Sequence, residues 1–358
     1  MLHEKERKAA TVTGSIPGVT APTITYKKGN ETLTAAPADA GDYTASITLG
    51  EGENAKTASV EYSIEKATPT AENFSFTAPT DLIYNGKAKT AAIAPNTGIT
   101  GMGDVSVKYD RDGREVQNRT NAGTYTVKIA VIEGTNYATA SELTAERWKF
   151  TIARNTTEPT VTLSGDTTYT GGQIKPTVTV IVRETTLVVG QDYTVTYGEN
   201  KNAGENAGSV TVKAMGNYEF TDKTENFSIG KKTLTATDLE FTTGSTFTKV
   251  YNGKDTCETA TVQIKDNAKV NAGDTLPTVR GSCVYNSANV EEANTVTFTT
   301  KAAESENYSL SVLTVTHGAS ITKATPSYTV PTGLTAKYGQ TLANITLPKQ
   351  LQLRVVTN

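Results

Sequence analysis

The stretch NAGTYTVKIAVIEGTNYA, from Asn121 to Ala138, has three companions in the same chain. They are DAGDYTASITLGEGENA, NAGSVTVKAMGNYEF and EEANTVTFTTKAAESENYSL, starting at Asp39, Asn206 and Glu291. A chain of 358 residues exceeds what a single hydrophobic core usually organises. Recurrence within it means that the folding element is short and is used several times.

Each companion carries the same local pattern. Tyr125, Val127, Ile129 and Val131 alternate with Thr126, Lys128 and Ala130, the period-two signature of a half-buried strand. Tyr43, Ala45, Ile47 and Leu49 repeat it, as do Val210, Val212 and Ala214, and more weakly Val296 and Phe298. An Ala-Gly turn precedes the strand at Gly41, Gly123 and Gly208, and Ala293-Asn294 replaces it in the fourth copy. Asn136-Tyr137, Asn217-Tyr218 and Asn307-Tyr308 follow the strand, with Asn54-Ala55 as a degenerate version. A short apolar strand then ends on a basic residue: Lys66, Arg154, Lys231 or Lys323.

Upstream lie two more markers. Tyr84-Asn85-Gly86-Lys87 and Tyr251-Asn252-Gly253-Lys254 match, and Tyr169-Thr170-Gly171-Gly172 is a variant; glycine there accepts positive φ in a tight turn. The pairs Ile24/Tyr26, Val107/Tyr109, Val195/Tyr197 and Cys283/Tyr285 are two apart, so each pair shares a strand face. The chain is therefore read as residues 1–66 (a partial first repeat), 67–154, 155–232, 233–323, and 324–358 as the start of a fifth. Repeats of about 80 to 90 residues are an ordinary size for small β domains. The first repeat lacks the Tyr-x-Gly marker, and the closing QLQLRVVTN matches no other part.

Thr, Gly, Asn and Tyr are abundant, a strand-and-turn composition, and only SELTAERWKF and the N-terminal EKERKAA could form a helical turn. The expected fold class is mainly β: an elongated tandem array of small antiparallel domains, either Ig-like sandwiches or β-grasp-like. Prolines in KATPTAEN and KATPSYTV stand just past a strand end, where they stiffen the link.

The markers Y-N-G-K, N-A-G-T-Y-T-V, G-x-N-Y and the closing F-x-I-x-K resemble those of the MBG and YDG-type repeats of bacterial cell-surface proteins. The resemblance covers most of residues 11 to 348. It implies a β-grasp- or Ig-like fold in cell-wall-associated or secreted proteins, serving as stalk or adhesin repeats, with no catalytic residues to carry over. An extracellular, cell-surface location follows from it alone: MLHEKERKAATV is charged, lacks the apolar core of a signal peptide, and no sorting tail closes the chain.

Chemistry is sparse. Lys and Arg number 34 against 37 Asp and Glu, so no basic excess invites a nucleic acid. No apolar run of about 18 residues crosses a membrane. The two histidines, His3 in a charged tail and His317 near a strand end, have no triad partners, and His317 is expected to be exposed and structural. Tyr109-Asp110-Arg111-Asp112-Gly113 resembles the opening of a calcium loop but lacks the later ligands, and a hairpin turn through Asp112-Gly113 accounts for it.

Cys257 and Cys283 lie in one repeat and are either a disulfide or two buried thiols. Tyr26, Tyr109, Tyr197 and Tyr285 are expected in the core, not in a sugar-binding ladder. No catalytic, metal or cofactor residues are expected, and the chain is read as a monomeric, non-catalytic spacer. The alternative is an adhesin module for host glycan or extracellular protein, with the KVNAGDTLPTVRGSC region as its binding loop.

Overall fold

A computed structural model describes residues 7–14, 20–325, 332 and 335–341 of the chain. His3, the first three residues of EKERKAA, QLQLRVVTN and most of the fifth repeat lie outside these residues. Among the described residues the regular structure is β-strand, with short 3₁₀ turns such as Ala71–Asn73 and Ala236–Asp238. The fold class is mainly β, an array of many small and largely antiparallel sheets.

The chain divides into two compact units. One holds the residues up to Leu163 with Val178–Thr196 and Thr211–Thr224; the other holds Ser164–Thr177, Tyr197–Val210 and the residues from Glu225 on. The 155–232 segment therefore contributes residues to both.

In the first unit, Glu31–Leu33, Thr25–Lys28, Gly41–Leu49 and Lys56–Ile64 make a four-stranded antiparallel sheet. The next sheet centres on Gly123–Val131, flanked by Val105–Arg111, Ala140–Leu143 and Lys149–Ile152. The alternation read from sequence puts Tyr125, Val127, Ile129 and Val131 in the core with Phe74, Trp148, Phe150 and Ile152. A separate cluster in this unit gathers Val180, Val182, Leu187, Tyr193, Val212, Tyr218 and Phe220.

In the second unit, Thr295–Thr300 is the middle strand between Gly281–Tyr285 and Thr314–Gly318. Its core joins Val296, Phe298, Tyr308, Leu310 and Ile321 to Tyr169, Ile174 and Ile229.

Five details depart from, or refine, the sequence reading. Gly208 does not precede its strand: the strand is Gly204–Ala214, so Gly208 lies inside it and Asn202-Ala203 occupy the turn. The second Ala-Gly pair of NAGENAG looks like the turn only because the motif occurs twice within seven residues. SELTAERWKF is no helical turn: Ala140–Leu143 is a strand, and Trp148 N–H donates to Ala145 O in a β-turn. Val107 shares a strand face with buried Tyr109 yet is exposed, so that face is covered only along part of the strand. Some pairings are parallel, as between Thr248–Val250 and Ser320–Thr322. Asp112 and Gly113, with φ of 54° and 77°, make the two-residue turn between Val105–Arg111 and Arg114–Glu115.

Tyr26, Tyr109 and Tyr285 are buried and Tyr197 is half-buried. The hydroxyl of Tyr109 accepts the Ala91 N–H at 3.1 Å, and that of Tyr26 accepts the Ala10 N–H at 3.0 Å. These rings are core, and the hydroxyls of Tyr26 and Tyr109 hold the upstream backbone at Ala10 and Ala91.

Candidate functional site

The recurrent sequence markers meet where one segment follows another, and the arrangement is nearly the same each time. Asn136 accepts the Ala40 N–H on Oδ1 at 2.9 Å and donates through Nδ2 to Asp39 Oδ1 at 2.8 Å. Asn217 accepts from Ala122 N–H at 2.8 Å and donates to Asn121 Oδ1 at 3.1 Å. Asn307 accepts from Ala203 N–H at 2.8 Å and donates to Asn202 Oδ1 at 3.4 Å. The partner is always the Asp/Asn-Ala pair of the preceding segment. A carboxamide suits this place because it offers an acceptor and two donors on one short, stiff group.

Local structure presents the turn to that carboxamide. Gly41 and Gly123 have φ of 146° and 141°, a conformation closed to most side chains. Tyr43 and Tyr125 each donate a hydroxyl proton at 2.8 Å to the carbonyl four residues earlier, Asp39 O and Asn121 O. The tyrosine of N-A-G-T-Y thus fixes the turn from inside the core.

Backbone pairing accompanies the carboxamide. Ala67 N–H, Asn155 N–H and Lys232 N–H, each just past the end of a segment, all donate at 2.9 Å to the carbonyls of Asn136, Asn217 and Asn307. The bridges are parallel: Ala67 with Tyr137, Asn155 with Tyr218, and Lys232–Leu234 along Tyr308–Leu310. Satisfied backbone groups at a crossing of this kind limit its freedom to swivel.

Aromatic rings fill the space beside these bonds. Tyr84 meets Tyr218 edge to face with centroids 5.5 Å apart, and Tyr169 meets Tyr308 at 5.8 Å and 72°. The Y-N-G and G-x-N-Y markers are therefore the two halves of one contact. Asn85 and Asn252 accept the N–H of Lys87 and Lys254 two residues on, which shapes the turn behind the first ring. Buried Lys89 reaches Asp81 at 3.0 Å and Asn85 at 3.1 Å, and so braces the Tyr84 turn further. The closing basic residues also find a use: Lys66 pairs with Glu133, and Lys231 with Glu304 at 2.7 Å. Exposed pairs of this type add little stability.

The contact of Tyr169 with Tyr308 carries an extra carboxylate. Asp274 accepts the hydroxyl of Tyr308 at 2.5 Å and that of Tyr169 at 2.8 Å. Tyr308 in turn accepts the Val270 N–H at 2.7 Å, and Asn271 donates to Tyr169 at 3.0 Å. Partial burial works against the Asp274 anion, but hydrogen bonds from Tyr308, Asn271 N–H and Tyr169 outweigh it, and its pKa is lowered. Burial first, and then Asp274, push Tyr308 up to about 12.

The sign of the pH dependence follows. Asp274 contributes above its unfolded pKa and loses its contribution as pH falls through its folded value; Tyr308 loses its own as pH rises through about 12. Asp274→Asn is expected to lower the denaturation midpoint at pH 7, with the gap from wild type closing in acid, below pH ~4. Equal gaps at both pH values would show that the carboxylate charge is not involved.

Cys257 and Cys283 face each other across neighbouring strands: Thr256 bridges Val284, and Cys257 N–H donates to Cys283 O at 3.1 Å. Both are buried and the sulfurs are not bonded. Burial, followed by the hydrogen bond with Cys257, pushes the Cys283 thiol up to about 12, which leaves almost no thiolate at neutral pH. Alkylation is expected to be slow in the native protein and to add two labels in denaturant without reductant. A need for reductant would establish a disulfide.

His317 is exposed, stacks on Phe247 at 3.9 Å, and places Nδ1 2.7 Å from Gly318 O. Among the described residues, no group of three or more His, Cys, Asp or Glu side chains is gathered as for a metal. No described helix is long and apolar enough to cross a membrane.

Residues 231–316 match the YDG domain family. The match covers the segment that holds Tyr251-Asn252-Gly253, Asn307-Tyr308 and both cysteines. No curated protein is found to match the chain.

Proposed function

We propose that the chain is a stretch of tandem repeats from a bacterial cell-surface or secreted protein and serves there as a monomeric, non-catalytic stalk. The observation that carries this reading is the junction: the same carboxamide clamp links successive segments through Asn136, Asn217 and Asn307. A spacer must keep neighbouring domains from swivelling, and repeated stability is invested where one domain meets the next. The sequence supplies no convergent acids, bases or nucleophiles of the kind an active site requires.

The adhesin alternative is less well supported. Its candidate loop, the KVNAGDTLPTVRGSC region, uses Val270, Asn271 and Asp274 to hold Tyr169 and Tyr308, so these groups serve the junction. Pulling the chain by its two ends tests the stalk reading. Discrete unfolding steps are expected, each releasing about 3.5 Å of contour per residue. Extension without steps at low force would refute it. A glycan array and a matrix-protein screen with the same chain would instead favour the adhesin if either gave saturable binding.

A further inference from the structure

The chain's two cysteines are placed as a disulfide requires, yet they are sealed in the reduced form. Thr256 bridges Val284 antiparallel, flanked by Cys257 N–H to Cys283 O at 3.1 Å and Tyr285 N–H to Asp255 O at 2.7 Å. Hydrogen bonds on either side of a bridge set the next residues opposite each other, so Cys257 faces Cys283. Residues opposed in this way have Cα atoms about 5.5 Å apart, inside the roughly 4.4–6.8 Å that a disulfide spans. Their side chains share a face: Val284, on the other face of its strand, is exposed, whereas both cysteines are buried in the core that holds Tyr285, Val296 and Phe298. A hydrogen bond already joins the two thiols.

Closing the bridge is an exchange reaction. The thiolate of one cysteine attacks a small disulfide RSSR and releases one RS⁻; the other cysteine, as thiolate, attacks the mixed disulfide and releases the second. Two protons and two electrons pass from the protein to two molecules of RSH, and one S–S bond is gained. Each step needs a thiolate and a path to it. The folded core withholds both: the residues are 6% and 7% exposed, and Cys283, pushed up to about 12 by burial and then by Cys257, is almost wholly protonated at neutral pH. In the unfolded chain both thiols meet solvent with ordinary pKa values of about 8.5, so a few per cent is thiolate at pH 7.

We propose that Cys257 and Cys283 are a site of covalent modification whose state is fixed while the second unit folds. A chain that folds in the presence of a small disulfide acquires the bridge, and a chain that folds among reduced thiols keeps both thiols. The closed core then preserves either form. The loop so closed, residues 258–282, carries Val270, Asn271 and Asp274, which hold Tyr169 and Tyr308. The modification thus records the redox conditions under which this junction formed. The chemistry is the same whether or not the array acts as a stalk.

The test uses the whole chain, unfolded and reduced, then returned to native buffer at pH 7. One sample refolds with oxidised and reduced glutathione, the other with reduced glutathione alone. Alkylation in denaturant without reductant, read by mass, is expected to add no label to the first product, which is two hydrogens lighter, and two labels to the second. Labels or glutathione adducts on the first product would overturn the proposal. Native dithiol protein is then exposed to the same oxidised glutathione. Its loss of labels is expected to be at least about a hundredfold slower than that of the chain in denaturant. A native rate within that hundredfold would show that folding does not fix the state, and would overturn the proposal equally.

Discussion

Tyr308→Ala is expected to cost about 3–5 kcal/mol, the range for deleting a fully buried large ring from a packed core. Tyr308 is 0% exposed, and its loss removes the partner of Tyr169, the proton donor to Asp274 and the acceptor for Val270 N–H together. Tyr308→Phe keeps the ring and should cost only about 1–2 kcal/mol, because a hydroxyl bonded to a carboxylate is lost while the packing stays. Chemical denaturation followed by far-ultraviolet circular dichroism separates the two. A cost below 1 kcal/mol for the alanine variant would mean that the ring contact does not hold the 270–274 loop in place.

Trp148→Ala is expected to cost a similar ~3–5 kcal/mol. Trp148 is fully buried and meets Phe74 edge to face with centroids 6.3 Å apart, at the centre of the Gly123–Val131 sheet core. Its indole N–H, however, has no hydrogen-bond partner in the interior. Trp148→Phe should therefore be much milder than the alanine change, since it also removes a buried donor that is costly to leave unpaired. A phenylalanine variant as damaged as the alanine one would indicate that the larger ring's volume, not its aromatic contact, is decisive.

Much of this architecture was legible along the chain. Alternation alone placed Tyr125, Val127, Ile129 and Val131 on one buried face, and Asp112-Gly113 announced its turn because both positions need positive φ. The junction was not legible. Asn136-Tyr137 follows the Gly123–Val131 strand by a few residues of irregular chain, and its carboxamide acts on Asp39 and Ala40, almost a hundred residues earlier. Nothing in a period-two pattern encodes which turn a distant asparagine will reach.

The same limit produced the Gly208 error. NAGENAG offers two identical triplets, and only the position of Asn307 selects Ala203 as the partner. The third segment illustrates it again: Val180 and Ile174 lie six residues apart yet enter different cores, because each follows the neighbour it packs against.

The central claim is that the carboxamide clamps couple adjacent segments, and the lone tryptophan of the chain lets one measurement decide it. Trp148 reports on the 67–154 segment, while Asn217 belongs to the following one and reaches back to Asn121 and Ala122. Denaturation followed by Trp148 fluorescence should show Asn217→Ala lowering the stability of the tryptophan's segment by about 1–2 kcal/mol, the worth of two lost hydrogen bonds. An unchanged Trp148 transition, with the loss confined to the segment that carries the substitution, would contradict the claim.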